Sequence, residues 1–334
     1  MSVEAYVDLA PRPGHAAAPV MALTLRVLHD MLYLEHVRVQ QKDGRIIWLT
    51  ESGMDVEQYF NLPERNTAFL LLGKGTSITD AAVRRLAESN VIVGFCGSGG
   101  SPLFGMVDSV FLTPMSEYRP TEYMQAWARM WFDPARRLAC ARELLTMRVD
   151  YVNQRWRKNE GLDKRGVEIP ARVRQNLLAR AEAVRNPDTG AQELLLAEAE
   201  WARKLYRLLA EAYELKEFSR QEGAGKKETA ADRVNSFLDH GNYIAYGLAA
   251  VALNGLGISY AFPLLHGKTR RGALVFDIAD LIKDAWIMPL AFECGSDPRC
   301  KDNQFRGRLL ETLHDHAVLD FMFDFVKKLA EKVY

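Results

Sequence analysis

The sequence predicts an α+β chain: a small N-terminal β-sandwich-like domain over residues 1–110, then a larger all-helical domain over residues 111–334. Three observations carry this expectation. Apolar residues alternate with period two in the first third. Beyond it they recur with the helical period. Between the two, "FLTPMSEYRPTEY" sets Pro114 and Pro120 as punctuation. With 334 residues, 48% of them hydrophobic, the chain has ample material for one large core or two smaller ones.

The elements follow in order. In "LYLEHVRVQQKDGRIIWLTES", Val37 and Val39 face one way and Arg38 and Gln40 the other. Lys42-Asp43-Gly44 supplies a tight turn with a glycine free to take positive φ, so a β-hairpin is expected. "TAFLLLGKGTSITD" reads as a buried strand, a glycine turn and a helix that Thr79 caps, with Asp80 in its first turn. "NVIVGFCGSGG" is a second buried strand stopped by glycines. Helical periods then cover 121–131, 134–157, 168–185, 191–215, 229–252, 277–288 and 305–332. Asp133-Pro134 opens the second of these well, because proline suits a first helical turn. "YIAYGLAAVALNGLGISYAF" holds Asn254 and several glycines, and reads as a core helix rather than a membrane span. "RQEGAGKKETAADR" at 220–233 is a polar, glycine-bearing loop. The chain has no internal repeat.

Composition narrows the function classes. The formal net charge is zero, so there is no global pull toward nucleic acid. The charge is uneven, however: residues 136–185 hold thirteen Lys and Arg against six Asp and Glu, while residues 1–110 hold nine against twelve. A basic stretch is ordinarily a solvated helical face. Cys96, Cys140, Cys294 and Cys300 form no C-x-x-C pair and read as reduced, buried thiols of a cytoplasmic protein. The opening residues lack the basic start and apolar stretch of a signal peptide. No G-x-S-x-G is present, and neither "LLGKGTS" nor "GSGGS" completes a P-loop, so both read as turns.

The chemistry concentrates in "FPLLHGKTRRGALVFDIADLIKDAWIMPL". Asp277, Asp280 and Asp284 share one helix face by spacing, within a run that is otherwise oily and therefore buried. A buried carboxylate needs a partner, and two that are one turn apart repel each other. A divalent cation answers both demands; pairing with Lys268, Arg270 or Arg271 is the plainer alternative. His266 lies eleven residues before Asp277, joined to it by a strand-like "ALVF", so both can converge on one end of that helix. A further acid comes from "GAQELLLAEAEWARKLYRLLAEAYEL", where the stripe Leu195, Ala202, Leu205, Leu209 takes in Glu198. Glu200 falls on the opposite face and forms an ordinary i,i+4 pair with Lys204. A Glu, His, Asp set beside Lys268, Arg270 and Arg271 suits a metal acting on a phosphodiester.

Four stretches together carry a family resemblance: "LLLGKGTSITDAAVRRLAESNVIVGFCGSGG", "LLLAEAEWARKLYRLLA", "DRVNSFLDHGNYIAYGLA" and "FPLLHGKTRRGALVFDIADLIKDA". In this order and over nearly the whole chain, the sequence resembles the CRISPR-associated spacer integrase, the metal-dependent endonuclease of the adaptation complex, in its type I-F (Ypest) form. The resemblance implies that Glu198, His266 and Asp280 bind one Mg or Mn ion and that Asp277 joins them as a catalytic residue. It implies DNA contacts for Lys268 and Lys283, beside which Arg270 and Arg271 are further DNA-binding candidates by their charge, and it adds weight to Arg155, Arg157, Lys158, Arg172 and Arg174 as candidate backbone contacts. Tyr206 and Asn235 match family positions, Asn235 as a structural one. Where some relatives carry a tyrosine before the first aspartate, this chain has Phe276. The implied partners are DNA (a prespacer duplex and the CRISPR repeat), a second copy of the chain, and a second adaptation protein fused to the interference helicase-nuclease. The implied reaction inserts the prespacer into the repeat array by transesterification. Two alternatives stand beside it: a catalytically silent DNA-binding scaffold, and an HD-type phosphohydrolase suggested by His314-Asp315.

Overall fold

The computed structural model describes residues 31–50, 59–62, 67, 69–89, 91–95, 103–104, 107–108, 110–112, 121–187, 189–215, 217–222, 228–267 and 272–332. The chain divides into two compact units, one of residues 1–98 and 110–115, the other of 99–109 and 116–334.

The first unit is built on two four-stranded sheets. One runs β1 (Met31–Leu34), β5 (Phe69–Leu72), β7 (Ile92–Phe95), β10 (Val110–Leu112), with β1, β5 and β7 parallel and β10 antiparallel to β7. The other runs β4 (Tyr59–Asn61), β3 (Arg45–Thr50), β2 (Val37–Lys42), β6 (Ser77–Ile78). The expected hairpin joins β2 to β3, pairing Lys42 with Arg45. Its two turn residues, Asp43 and Gly44, both have positive φ, 49° and 74°, which matches the right-handed twist of the strands it links. Leu32, Leu34, Leu70, Leu72 and Val93 from the first sheet share one core with Val39, Ile46 and Trp48 from the second. Trp48 stacks on Phe60 at 4.3 Å between ring centres. A helix, α1 (Asp80–Glu88), closes the core with Ala82 and Leu86, and Thr79 caps it by accepting from the Ala82 amide. Cys96 lies outside the described residues.

The second unit is helical: α2 (Glu122–Trp131), α3 (Pro134–Arg157), a short α4 (Glu160–Asp163), α5 (Ala171–Ala183), α6 (Gly190–Ala212), α7 (Ala230–Gly255), α8 (Ala273–Ile282), α9 (Met288–Ser296), α10 (Asp302–Asp315) and α11 (Val318–Glu331). A two-stranded ladder of β8 (Leu103–Phe104) and β9 (Val107–Asp108) belongs to it too. Asp133 caps α3 with Pro134 in its first turn, as its sequence indicates. The apolar tract that starts at Tyr243 is helical in α7 as far as Gly255, the rest of it following that helix, and the residues from Gly247 to Leu253 are all buried. No helix of the described residues is long and apolar enough to cross a membrane. Where α7 meets α9, Gly295 lies so close to Val234 that a Cβ there would stand 2.7 Å from the Val234 backbone nitrogen.

Three expectations need correction. The strand-like "ALVF" is the first turn of α8: a short apolar run cannot be assigned by period alone, and all ten residues of α8 are buried. The helix expected over 305–332 is two, α10 and α11, because Ala317 between them takes a left-handed conformation with φ 47°. The helix expected over 277–288 runs from 273 to 296, but not as a regular α-helix. Residues Lys283–Ile287 form a π turn, in which the Met288 amide reaches back five residues to the Lys283 carbonyl. Pro289 accounts for the disruption, since it has no amide to donate and its ring crowds the preceding turn.

Candidate metal centre

The site is best built outward from Asp284. Pro289 stands five residues after it and cannot donate to its carbonyl, while the Met288 amide is taken by Lys283. The indole of Trp156, at the end of α3, donates to that carbonyl instead, at 2.9 Å. The Asp284 side chain is fully buried and accepts from Trp201 Nε1 of α6 at 3.0 Å and from Arg148 Nε of α3 at 2.7 Å. Two tryptophans and one arginine from two other helices thus hold one aspartate of the π turn.

Arg148 then passes the connection on. Its Nη1 donates to Glu198 Oε1 at 2.7 Å and lies 3.6 Å from Asp280 Oδ2. Both carboxylates therefore converge on one nitrogen. Arg148 itself is buried; burial would weaken its charge, but Asp284, Glu198 and Asp280 outweigh that and hold its pKa well above the ordinary value. Asp280 has a second cation: Lys283 Nζ donates to its Oδ1 at 2.6 Å. Burial would raise the Asp280 carboxyl, yet Lys283, Arg148 and His266 together bring it below the usual range. Burial would lower Lys283 in turn, but Asp280, with Tyr246, outweighs it and holds it well above the ordinary lysine value, and its ammonium lies over the Tyr246 ring at 5.4 Å.

Asp277, one turn earlier on α8, serves a different group. Its carboxylate accepts three consecutive backbone amides, Leu264 at 2.6 Å, Leu265 at 3.2 Å and His266 at 3.1 Å, and lies 2.7 Å from His266 Nδ1. The segment before His266 is held from the other side, where Trp127 and Trp131 of α2 donate to the carbonyls of Phe262 and Pro263. With Nδ1 donating to Asp277, the Nε2 edge of His266 keeps its lone pair for another partner. Burial lowers the imidazole, but the Asp277 hydrogen bond and the charges of Asp280 and Asp277 outweigh it, leaving the pKa raised.

The structure thus brings Glu198 and Asp280 together on Arg148, and His266 together with Asp277. Asp277, expected as a catalytic residue, has no solvent exposure, and its described partners are the 264–266 amides and the His266 ring. Lys283, expected as a DNA contact, is bound to Asp280 with its side chain about one-fifth exposed. Lys268, Arg270 and Arg271 lie outside the described residues, so the acids' described cationic partners are Arg148 and Lys283. The apolar stripe of α6 is centred on Leu194, Ala197, Trp201 and Leu205, one residue from where its sequence placed it, and Glu198 lies at its edge with 17% of its side chain exposed. Glu200 is solvated, pairing with Lys204 at 2.8 Å and with Arg180. Asn235 is structural: it accepts from the Gln221 amide and Arg220 and donates to the Ser219 carbonyl. Tyr206 packs against Phe218 and Phe292, and Phe276 packs edge-on against Tyr246 at 4.7 Å. Of the basic candidates, Arg155 lies over the rings of both Tyr151 and Trp286, which meet edge to face, while Arg157, Lys158 and Arg172 are exposed.

The sequence reading missed Arg148, Trp156 and Trp201. The signal for Arg148 was available, because it falls on the buried stripe Ala141, Leu145, Arg148, Val152 of α3. Among the described residues no three His, Cys, Asp and Glu side chains stand close enough to hold an ion by themselves. The donor chemistry nonetheless suits a hard divalent cation, offering two carboxylates and an imidazole edge. In charged form the cluster has four carboxylates against two cations, a surplus of two negative charges while His266 is neutral.

A family model described as "CRISPR associated protein Cas1" matches residues 32–319. The chain is 42% identical over 307 residues to a CRISPR-associated endonuclease Cas1 of Pseudomonas aeruginosa, covering 91% of this chain and 93% of the relative. It is 39% identical over 308 residues to that of Pectobacterium atrosepticum, with the same coverage of each. Among solved structures, a TtCas1–DNA complex matches with a TM-score of 0.62 and 26% identity over 90% of each chain. A casposase bound to its integration product shares the fold, with a TM-score of 0.62 at 15% identity and 91% of each chain covered. On the family match and the identity to its relatives, this chain belongs to the Cas1 family of CRISPR-associated proteins.

Proposed function

We propose that the chain is a metal-dependent DNA endonuclease and integrase of CRISPR adaptation, with Glu198, His266 and Asp280 as its metal ligands. The observation that carries the site assignment is the convergence of Glu198 and Asp280 on one nitrogen within a buried cluster that retains surplus negative charge. Membership of the Cas1 family at 42% identity to a curated endonuclease supports the reaction class, and the subtype I-F reading rests on that same relative.

A bound Mg or Mn ion would supply Lewis-acid polarisation of a phosphodiester oxygen. The chain's own residues account for the rest. Asp277 fixes the His266 ring through Nδ1 and anchors its loop, so that the Nε2 edge is presented rather than free to rotate. Lys283 offsets part of the charge on Asp280 and limits repulsion between it and Glu198. Lys268, Arg270 and Arg271 follow His266 in sequence and are proposed to hold phosphates, joined by the exposed Arg157, Lys158 and Arg172. The substrate pair is a prespacer duplex, whose 3′-hydroxyl attacks, and a phosphodiester at the CRISPR repeat boundary, whose leaving 3′-oxygen takes a proton as the new bond forms. A homodimer and a second adaptation protein complete the assembly of this reading, which is cytoplasmic.

Both alternatives have less support. In the scaffold reading, the acids pair with Arg270 and Arg271, yet the described structure pairs them with Arg148 and Lys283. The phosphohydrolase reading rests on His314-Asp315 at the end of α10, where Asp315 is exposed, and the family match does not favour it. The test uses near-isosteric replacements of the two acids and removal of the imidazole. Glu198→Gln, His266→Ala and Asp280→Asn should each abolish manganese-dependent strand transfer while circular dichroism stays unchanged. Full activity in all three would end the assignment.

A further inference from the structure

We infer that Arg148 is the resident counter-ion of the Glu198–Asp280 pair, and that an entering divalent cation takes Glu198 from it while Asp284 keeps hold of it. This deepens the metal reading and rests on it.

The guanidinium is held unequally on its two sides. Its Nε side meets Asp284 at 2.7 Å, and Asp284 is itself fixed by both Trp201 and Trp156. Nothing on that side is exposed: the Asp284 side chain is 1% accessible. Its Nη1 side meets groups with other options. Glu198 is the most accessible carboxylate of the cluster, and Asp280 already has Lys283 at 2.6 Å. The Nη1 contacts can therefore be exchanged while the Nε contact stays, and the arginine need not become an unpaired buried charge, which would be strongly disfavoured.

Charge sets the direction of the exchange. Arg148 brings one positive charge to three carboxylates. A divalent ion brings two, at metal–oxygen distances of about 2.0–2.1 Å for Mg rather than the length of a hydrogen bond. The cluster as a whole retains a surplus that one such ion cancels. Without metal, Arg148 keeps Glu198 and Asp280 converged and the cluster folded; with metal, the same contact is a competitor that lowers the measured affinity. Arg148 is thus a positioning residue with a second role as placeholder.

The test compares manganese binding by calorimetry, and thermal midpoints with and without manganese, in the full unaltered chain, Arg148→Met and Glu198→Ala. Arg148→Met should melt lower without metal, gain more from manganese than the unaltered chain does, and bind manganese on the order of tenfold tighter, the ratio for one competing charge-assisted hydrogen bond. Glu198→Ala should lose manganese binding. An equal or smaller manganese response in Arg148→Met, with binding intact in the unaltered chain, would overturn the placeholder role and leave the metal site standing. Absence of binding in both chains would instead remove the metal site, and the placeholder with it. Should Arg148→Met fail to fold, a manganese-soaked crystal of the unaltered chain decides. Nη1 beyond hydrogen-bond distance of Glu198, with Nε still on Asp284, supports the exchange; an ion bound while Nη1 stays on Glu198 refutes it.

Discussion

The two units fill their interiors in opposite ways. Between the sheets of the first, the described core is Leu, Val, Ile, Trp, Phe and Ala, and the one buried polar residue described there is Thr67. In the helical unit, Arg148, Asp277, Asp280 and Asp284 are all buried, Arg148 on the apolar stripe of α3 and the acids in or just after the apolar α8. An apolar core gains stability in proportion to the area it removes from water. A buried ionic cluster gains little or nothing over an apolar one of the same shape. The first interior therefore holds a shape together, and the second holds charges in a fixed arrangement at some cost to stability.

This contrast can be broken most sharply by one deletion on each side. Asp284→Ala takes the buried acceptor from Arg148 Nε and from the Trp201 indole and should destabilise the chain by about 3–5 kcal/mol. Leu70→Ala in β5 opens a cavity and should cost about 2–5 kcal/mol. Urea denaturation cannot tell two such losses apart, but manganese can: its stabilising effect should change in Asp284→Ala and stay unaltered in Leu70→Ala. A smaller effect comes from Trp156→Phe, which keeps an aromatic six-membered ring but removes the pyrrole half of the indole, and with it the donor to the Asp284 carbonyl. Leaving that buried acceptor unpaired should cost about 1–3 kcal/mol in chemical denaturation, and strand transfer should fall as the hold on Asp284 loosens. The smallest effect belongs to Glu200→Ala. This residue is two positions from Glu198 but faces solvent with Lys204 and Arg180, so neither the melting midpoint nor strand transfer should move measurably.

How much of this was legible in the sequence differs along the same line. The hairpin at Asp43-Gly44, the Thr79 cap and the Asp133-Pro134 helix start are local rules, and the structure keeps each of them. The inward turn of Glu198 was legible as a charge on an apolar stripe, although the structure sets it at the edge of that stripe. Its partner was not found because Arg148 is fifty residues away and sits in a stretch whose excess of bases reads as a solvated face. Read one position at a time, Arg148 breaks the stripe of α3 just as Glu198 does that of α6, and two opposite charges on two apolar faces are candidates for each other. The π turn was out of reach for another reason: Pro289 announces a fault in the helix, but whether the chain kinks, ends or widens there depends on what can satisfy the stranded carbonyl, here the Trp156 indole.

The three amides that Asp277 gathers have a consequence for how the His266 loop moves. Loops commonly open on their own, far below the free energy of global unfolding, because their backbone groups can turn to water. Residues 264–266 cannot do so separately, since their shared acceptor has no exposure and would be stranded in the interior. Hydrogen exchange at these positions should therefore follow the opening of α8 itself, far slower than in a loop whose backbone groups can turn to water.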